Sequence, residues 1–296
     1  MKYVFLIMQP FAAAMVSVLQ KRYKNETLSN IAADSAFVLI NMTVSIGLYG
    51  SLERWHIAFD LYTVLYAAIL ALFAIVSSFV QLAALEKTSV INITVSNNSG
   101  AIIIPVLYGA LFLSEKISAF KIMAVILLIL AVCVPLKNKR HAEYGNKKSG
   151  SAPLLCGILF VLSGMATVLY KLYASDVRVL SENLFCFWAN VIMIPMLLGT
   201  IFLKNSRYEM ADGLKKIKFK AYILAFMSCL FNGAVPLMSM AALKEIDIGI
   251  YTVVSNSFLL IFAVFLSGIM LKEHIGKPAL LSVILSVLAV MFNIIG

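Results

Sequence analysis

Two short polar runs interrupt apolar stretches of this sequence: TVSNNSG at 94–100 and TVVSNSF at 252–258. An asparagine side chain carries both a hydrogen-bond donor and an acceptor, so it can bind a neutral or zwitterionic solute without a buried charge. In helices, residues four apart share a face, so both runs would form polar stripes. We predict that these stripes line a substrate pocket; the alternative is that their amides bond neighbouring helices together. The predicted pocket residues here are Thr94, Asn97, Asn98, Tyr251, Ser255 and Asn256.

Further candidates share a helical face with another polar residue or offer an aromatic wall to a pocket, with ordinary packing as the alternative. These candidates are Asn41, Gln81, Trp188 and Asn190. Lys171 lies near the end of an apolar segment, and Lys21 lies at the matching end of an earlier one. Long side chains let both lysines reach the membrane surface. If Lys171 faces the pocket instead, it would bind a carboxylate or a phosphate.

No pattern of a catalytic or metal site accompanies these residues. The sequence has no nucleotide-binding glycine loop and no H-E-x-x-H motif. Its three histidines lie between apolar segments, and its four cysteines lack metal-ligand spacing. We therefore expect no enzyme activity, no catalytic residue, no metal and no cofactor.

The composition indicates which elements must position the polar runs. The chain has 296 residues, of which 62% are hydrophobic and 13% charged, with a mean hydropathy of +0.96. A helix needs roughly 20 apolar residues to cross a bilayer, and strict alternation typical of barrel strands is missing. We predict an all-α integral membrane protein with ten transmembrane helices. The segments are 3–20, 31–50, 61–85, 89–113, 118–136, 153–172, 181–203, 220–243, 247–271 and 277–295.

The charged residues lie mainly between these segments and carry information about orientation. The net charge is +10, but no soluble basic stripe is interleaved with aromatic residues, so we expect no nucleic-acid partner. Loops after the odd-numbered segments hold 17 of the 24 lysines and arginines. Because such residues are enriched in cytoplasmic loops, this bias predicts that both chain termini lie outside the cytoplasm.

The chain also repeats itself. A shift of 158 residues aligns positions 83–133 with 241–291 without a gap, and about 18 of these 51 positions are identical. A shift of 150 aligns MVSVLQKRY with MATVLYKLY. We predict a first five-helix repeat over 1–136, a basic polar linker over 137–151 and a second repeat over 152–296. Five is odd, so the second repeat enters the membrane inverted, as in transporters that work by alternating access.

One stretch resembles a known family. The segment IIIPVLYGALFLSEKIS, with Pro105 and Glu115, and its second copy around Glu273 resemble the EamA-type repeat of the drug/metabolite transporter superfamily. The resemblance implies a ten-helix transporter of small molecules with both termini in the cytoplasm, opposite to the orientation that the lysine bias predicts. The stretch FWAN at 187–190 is similar to a motif of nucleotide-sugar transporters, but the ninth segment lacks the lysine of that branch, which counts against a pyrophosphate-bearing substrate.

The acidic residues complete the sequence-based account. Only Asp34, Glu182 and Asp247 fall within apolar segments, all near segment starts. We expect Asp34 to be solvated near the headgroups, and no proton coupling through a buried carboxylate. The predicted function is secondary transport of a small polar or amphipathic metabolite, amino-acid-like or drug-like. Alternatives are a nucleotide-sugar exchanger and a non-transporting interaction protein. The expected location is the lipid bilayer of a bacterial plasma membrane, with a homodimer as one candidate assembly.

Overall fold

A computed structural model of the chain describes residues 2–27, 31–112, 119–137, 151–176, 178–203, 217–243, 248–272 and 276–295. These residues are almost entirely α-helical, with no β-strand among them. The helices of this part of the chain are α1 (Lys2–Glu26), α2 (Ile31–Leu52), α3 (Leu61–Lys87), α4 (Val90–Phe112), α5 (Ala119–Lys137), α6 (Ala152–Ser175), α7 (Glu182–Leu203), α8 (Phe219–Leu243), α9 (Ile248–Leu271) and α10 (Lys277–Ile295).

Each helix coincides with one predicted segment, so the all-helical prediction is confirmed for the described residues. The largest difference is at α1, which continues to Glu26 instead of ending at residue 20. Hydropathy alone does not predict this extra turn and a half of α1, because hydrogen bonds and an ion pair made by its side chains stabilise the extension. Lys21 donates hydrogen bonds to backbone carbonyls of α3 and of the residue that caps it, and Lys24 pairs with Glu86 on α3.

Several helices have the length and the surface of membrane-spanning elements. Within the described residues, four are long and apolar enough to cross a bilayer: Ala32–Leu52, Leu61–Lys87, Ala152–Tyr170 and Glu182–Gly199. On α3, Leu65, Leu72 and Val76 are exposed, while Ala67 and Ala71 are fully buried. An exposed apolar stripe on a long helix suits lipid, because the helix already satisfies its own backbone. The chain is therefore a multi-pass α-helical membrane protein.

The contacts between helices keep the same pattern when the first five helices are exchanged for the last five. The first helix, α1, packs against α8 and α9, and its counterpart five positions later, α6, packs against α3 and α4. The pairs α2 with α7, α4 with α9, and α5 with α10 each join helices five positions apart. Exchanging the first five helices for the last five maps these contacts onto themselves. This pattern is the one expected of two repeats related by a pseudo-two-fold axis.

The ends of α1 and α6 are built alike. The Tyr23 hydroxyl donates to a backbone carbonyl at the start of α2 at 2.6 Å, and the Tyr173 hydroxyl donates to one just before α7 at 2.8 Å. The Tyr23 ring lies 5.1 Å from that of Phe37, and the Tyr173 ring lies 4.1 Å from that of Phe185. Tyr23 and Tyr173 coincide under the 150-residue shift. Both tyrosines thus fasten the end of one helix to the start of the next.

Candidate functional site

The helix that carries the first polar run, α4, passes very close to α6. A Cβ atom on Gly100 would overlap the carbonyl oxygen of Phe160 and lie 2.6 Å from Ser163 Oγ. A Cβ atom on Gly164 would lie 2.6 Å from the carbonyl oxygen of Gly100. The two glycines therefore let the helix backbones touch, as small residues commonly do between membrane helices.

Two hydrogen bonds cross this contact. Ser96 Oγ donates to the Cys156 carbonyl at 2.6 Å, and Ser163 Oγ donates to the Asn97 carbonyl at 2.9 Å. Both acceptors are backbone carbonyls, so neither bond uses an asparagine side chain. The serines hold α4 against α6 and leave the side-chain amides of the polar run to other uses.

Three consecutive residues of α4 hold buried polar atoms that have no hydrogen-bond partner among the described residues: Asn97 Oδ1, Asn98 Nδ2 and Ser99 Oγ. Asn98 is 7% exposed and Ser99 is 0% exposed. Leaving such an atom unpaired in a protein interior costs about 1–3 kcal/mol. The three atoms are an acceptor, a donor and a hydroxyl, whereas the Thr94 hydroxyl bonds its own helix at the Val90 carbonyl.

The second polar run lies on α9, which packs against both α4 and α1. Ser255 Oγ donates to Gln9 Oε1 on α1 at 2.5 Å, and both side chains are buried. Asn256 is half-buried. The side chain of Tyr251 lies outside the described residues. The structure therefore brings the two polar helices into contact, with Ser255 already bonded within the bundle.

Most of the other candidate amides are bonded within the protein. Asn41 on α2 accepts a hydrogen bond from Asn232 on α8 at 3.1 Å, and Gln81 on α3 donates to Gln20 on α1 at 2.5 Å. Asn190 donates to a backbone carbonyl of its own helix at 2.8 Å. These contacts match the packing alternative for Asn41 and Gln81, because each joins two helices.

Trp188 lies at one end of the bundle. Its indole Nε1 donates to the Ala58 carbonyl in the loop between α2 and α3 at 3.0 Å, and its ring meets that of Phe59 edge-on at 5.7 Å. The half-buried indole therefore anchors a loop at the membrane surface. Aromatic side chains commonly occupy that level of a membrane protein.

Of the two paired lysines, the structure describes the side chain of Lys21 only. Its ammonium donates to the Leu85 and Thr88 carbonyls at the end of α3. Basic side chains often satisfy the last carbonyls of a helix in this way. The Lys171 backbone lies in α6, and its side chain is outside the described residues.

The placement predicted for Asp34 is wrong. Its carboxylate lies 2.6 Å from Lys24 Nζ, and Glu86 lies 2.6 Å from the same nitrogen. The Lys24 side chain is 1% exposed, Asp34 is 15% exposed and Glu86 is 24% exposed. These three residues, here called the Lys24 cluster, form an ion cluster of two partly buried carboxylates around a buried ammonium, in place of a freely solvated carboxylate. It joins the end of α1, the start of α2 and the end of α3.

The opposite end of the bundle is closed by weaker contacts. Thr63 Oγ1 accepts a hydrogen bond from the Leu180 amide at 2.9 Å, and Ser181 Oγ donates to Glu53 at 2.8 Å. Asp176 and Arg178 form a pair 2.7 Å apart, in which the Arg178 side chain is 56% exposed. Hydrogen bonds from Arg178 lower the pKa of Asp176 to about 2. The cation of this pair is therefore accessible to water, unlike the ammonium of Lys24.

The fold and the polar helix contacts define a multi-pass membrane protein whose helices are joined by buried hydrogen bonds. The model of the EamA-like transporter family matches residues 151–295. The resemblance read from the sequence is thus confirmed for residues 151–295, which match a family of membrane transporters of the drug/metabolite type. The comparison with curated proteins found no match. Among the described residues, no group of three His, Cys, Asp or Glu could hold a metal ion.

Sequence reasoning missed the glycine contact and the Lys24 cluster. Gly100 is the last residue of the first polar run, but the 158-residue shift aligns it with Phe258, so the repeat gave no sign of the contact. A glycine four residues after Ser96 and a second one next to Ser163 are a small-residue pattern that could have indicated close helix contact. The cluster had no comparable signal, because its members are far apart in sequence.

Proposed function

We propose that the chain is a secondary transporter that carries a small, neutral or zwitterionic metabolite by alternating access between its two five-helix halves. The observation that carries this proposal is the set of unpartnered buried atoms on Asn97, Asn98 and Ser99. A ligand that supplies their hydrogen bonds removes a cost of about 1–3 kcal/mol for each atom. The protein therefore gains most from a solute with both donors and acceptors.

The position of these atoms supports transport over a purely structural role. They lie on α4, which packs against α6 and α9 of the second half of the chain. A solute bound there touches the boundary between the halves, so rocking of one half against the other exposes it to either side. The helix contacts, which keep their pattern when the two halves are exchanged, support a motion of one half against the other.

The proposed substrate class follows from the lack of charged side chains in the first polar run. Residues 94–100 contain no ionisable side chain, and they contact Cys156, Phe160 and Ser163 of α6, which are uncharged at neutral pH. An anion or cation would lose its hydration there without an opposite charge, which is expensive in a membrane interior. Amino acids and similar zwitterions suit the site best, because their charges compensate each other.

The test is a thermal-shift screen of the purified protein against amino acids, polyamines, nucleotides and quaternary amines. We expect a neutral amino acid or a similar solute to raise the melting temperature. In Asn98→Leu the affinity for that solute should fall on the order of tenfold, because one or two ligand bonds of about 0.5–1.5 kcal/mol each are lost. Stability without ligand should not fall, since Asn98 Nδ2 has no bond to lose.

The matched control is Asn92→Leu on the same helix. Asn92 Nδ2 already donates to Thr88 Oγ1 at 2.8 Å, so this variant should lose stability and keep its response to the solute. The reverse pattern, with Asn98→Leu less stable and equally responsive, would make the amide a packing contact and remove the proposed site. A melting-temperature increase with a nucleoside monophosphate alone would instead favour a nucleotide-sugar exchanger.

A further inference from the structure

The Lys24 cluster joins three helices of the first half at one face of the bundle. The helices alternate in direction, so the end of α1, the start of α2 and the end of α3 meet there. The cluster is separate from the unpartnered atoms of α4. Its lysine is more completely buried than either carboxylate, at 1% exposure against 15% and 24%.

The cluster places two carboxylates on one ammonium group. Each has an oxygen 2.6 Å from Lys24 Nζ, so these two oxygens lie within about 5 Å of one another. Two carboxylates that share a site repel each other when both are ionised, and this repulsion disappears when one of them takes up a proton. Lys24 can then remain paired with the other carboxylate.

Other titratable groups surround the cluster from neighbouring helices. On α1, Lys21 donates to carbonyls at the end of α3, and the Tyr23 hydroxyl donates to the Ala33 carbonyl beside Asp34. From α8, Tyr222 and Cys229 lie near Tyr23. An exposed pair between Lys220 and Glu26 lies at the same face. The carboxylates within direct bonding distance of Lys24 are those of Asp34 and Glu86.

We propose that the Lys24 cluster is a proton-binding site, in which Asp34 or Glu86 takes up one proton from water when this face of the bundle opens. The proton adds to a carboxylate oxygen and forms an O–H bond, while Lys24 keeps its own protons and stays with the remaining carboxylate. Closing the face returns the proton to water and restores the arrangement of one ammonium between two carboxylates. Proton binding here does not depend on the identity of any transported solute.

The test uses the proton itself as the probe. The protein in lipid nanodiscs is titrated between pH 8 and pH 5 while infrared difference spectra record the carboxyl groups that become protonated. We expect one carboxyl band per molecule to form in this range in the wild type. Asp34→Asn and Glu86→Gln should each abolish the band, because each leaves Lys24 with a single partner. Glu26→Gln is the control and should retain it, since the Glu26 carboxylate pairs with the exposed Lys220 and lies outside the cluster.

Two results would overturn the proposal. One is that no carboxyl band forms in the wild-type spectrum between pH 8 and pH 5. This outcome is measured on the wild type alone, so it does not depend on whether the variants fold. The other is a band that persists in both Asp34→Asn and Glu86→Gln with melting profiles like the wild type. Neither result bears on the solute site of α4, so the proton site and the proposed transport function can fail separately.

Discussion

Replacing Gly100 by alanine adds one methyl group where α4 touches α6. The atoms that it would strike are the Phe160 carbonyl oxygen and the Phe160 carbonyl carbon, the latter at 2.7 Å. Backbone atoms cannot rotate away, so the helices must separate. Overpacking of this kind costs about 1–3 kcal/mol. Separation also strains the hydrogen bonds from Ser96 and Ser163, worth about 1 kcal/mol each.

Alanine is the better helix former by about 1 kcal/mol, which offsets part of this loss. We expect Gly100→Ala to lower the free energy of unfolding by about 2–4 kcal/mol, or the melting temperature by about 5–10 °C. The assay is thermal unfolding of purified protein followed by size-exclusion chromatography. Gly157→Ala is the control, because a Cβ there meets nothing within 4 Å. Equal melting temperatures for both variants would refute the close contact between α4 and α6.

Three further predictions follow from charge and hydrogen bonding. Lys24→Met should destabilise the protein by about 3–5 kcal/mol. The loss should be smaller at pH 5 than at pH 8, because protons bound to the carboxylates then replace the missing ammonium. The control Lys220→Met removes an exposed cation and should melt like the wild type. Tyr173→Phe should cost about 1 kcal/mol in chemical unfolding, and an unchanged midpoint would contradict the role of its hydroxyl in joining α6 to α7. In intact cells with cysteine-free protein, Lys218→Cys should resist an impermeant thiol reagent while Arg54→Cys reacts; the opposite pattern would place both termini in the cytoplasm.

The helices could be predicted because their determinants are local. Apolar runs of roughly the right length alternate with charged clusters, and each run became one helix. The repeat in sequence predicts which helices are counterparts, and Tyr23 and Tyr173 each donate a hydrogen bond to a carbonyl near the start of the next helix. The end of α1 was missed because its last turns depend on acceptors from α3, more than 60 residues away.

The site was predicted less well, since a polar residue type does not reveal its partner. Asn98 and Gln81 look equally suited to a ligand in the sequence, but Gln81 is bonded to Gln20 and Asn98 Nδ2 has no partner among the described residues. Asp34 looked solvated because it begins a helix. Its burial depends on Lys24 and Glu86, which only the packing of three helices brings together.

The central claim is that a neutral or zwitterionic solute crosses the membrane through the polar site on α4. The most direct measurement is uptake of radiolabelled neutral amino acids into liposomes that carry the wild type, Asn98→Leu or no protein. The account predicts that the wild type accelerates uptake of at least one of them, and that Asn98→Leu slows this uptake on the order of tenfold at low concentration. Equal uptake in wild-type and protein-free liposomes, or in wild-type and Asn98→Leu liposomes, would contradict it.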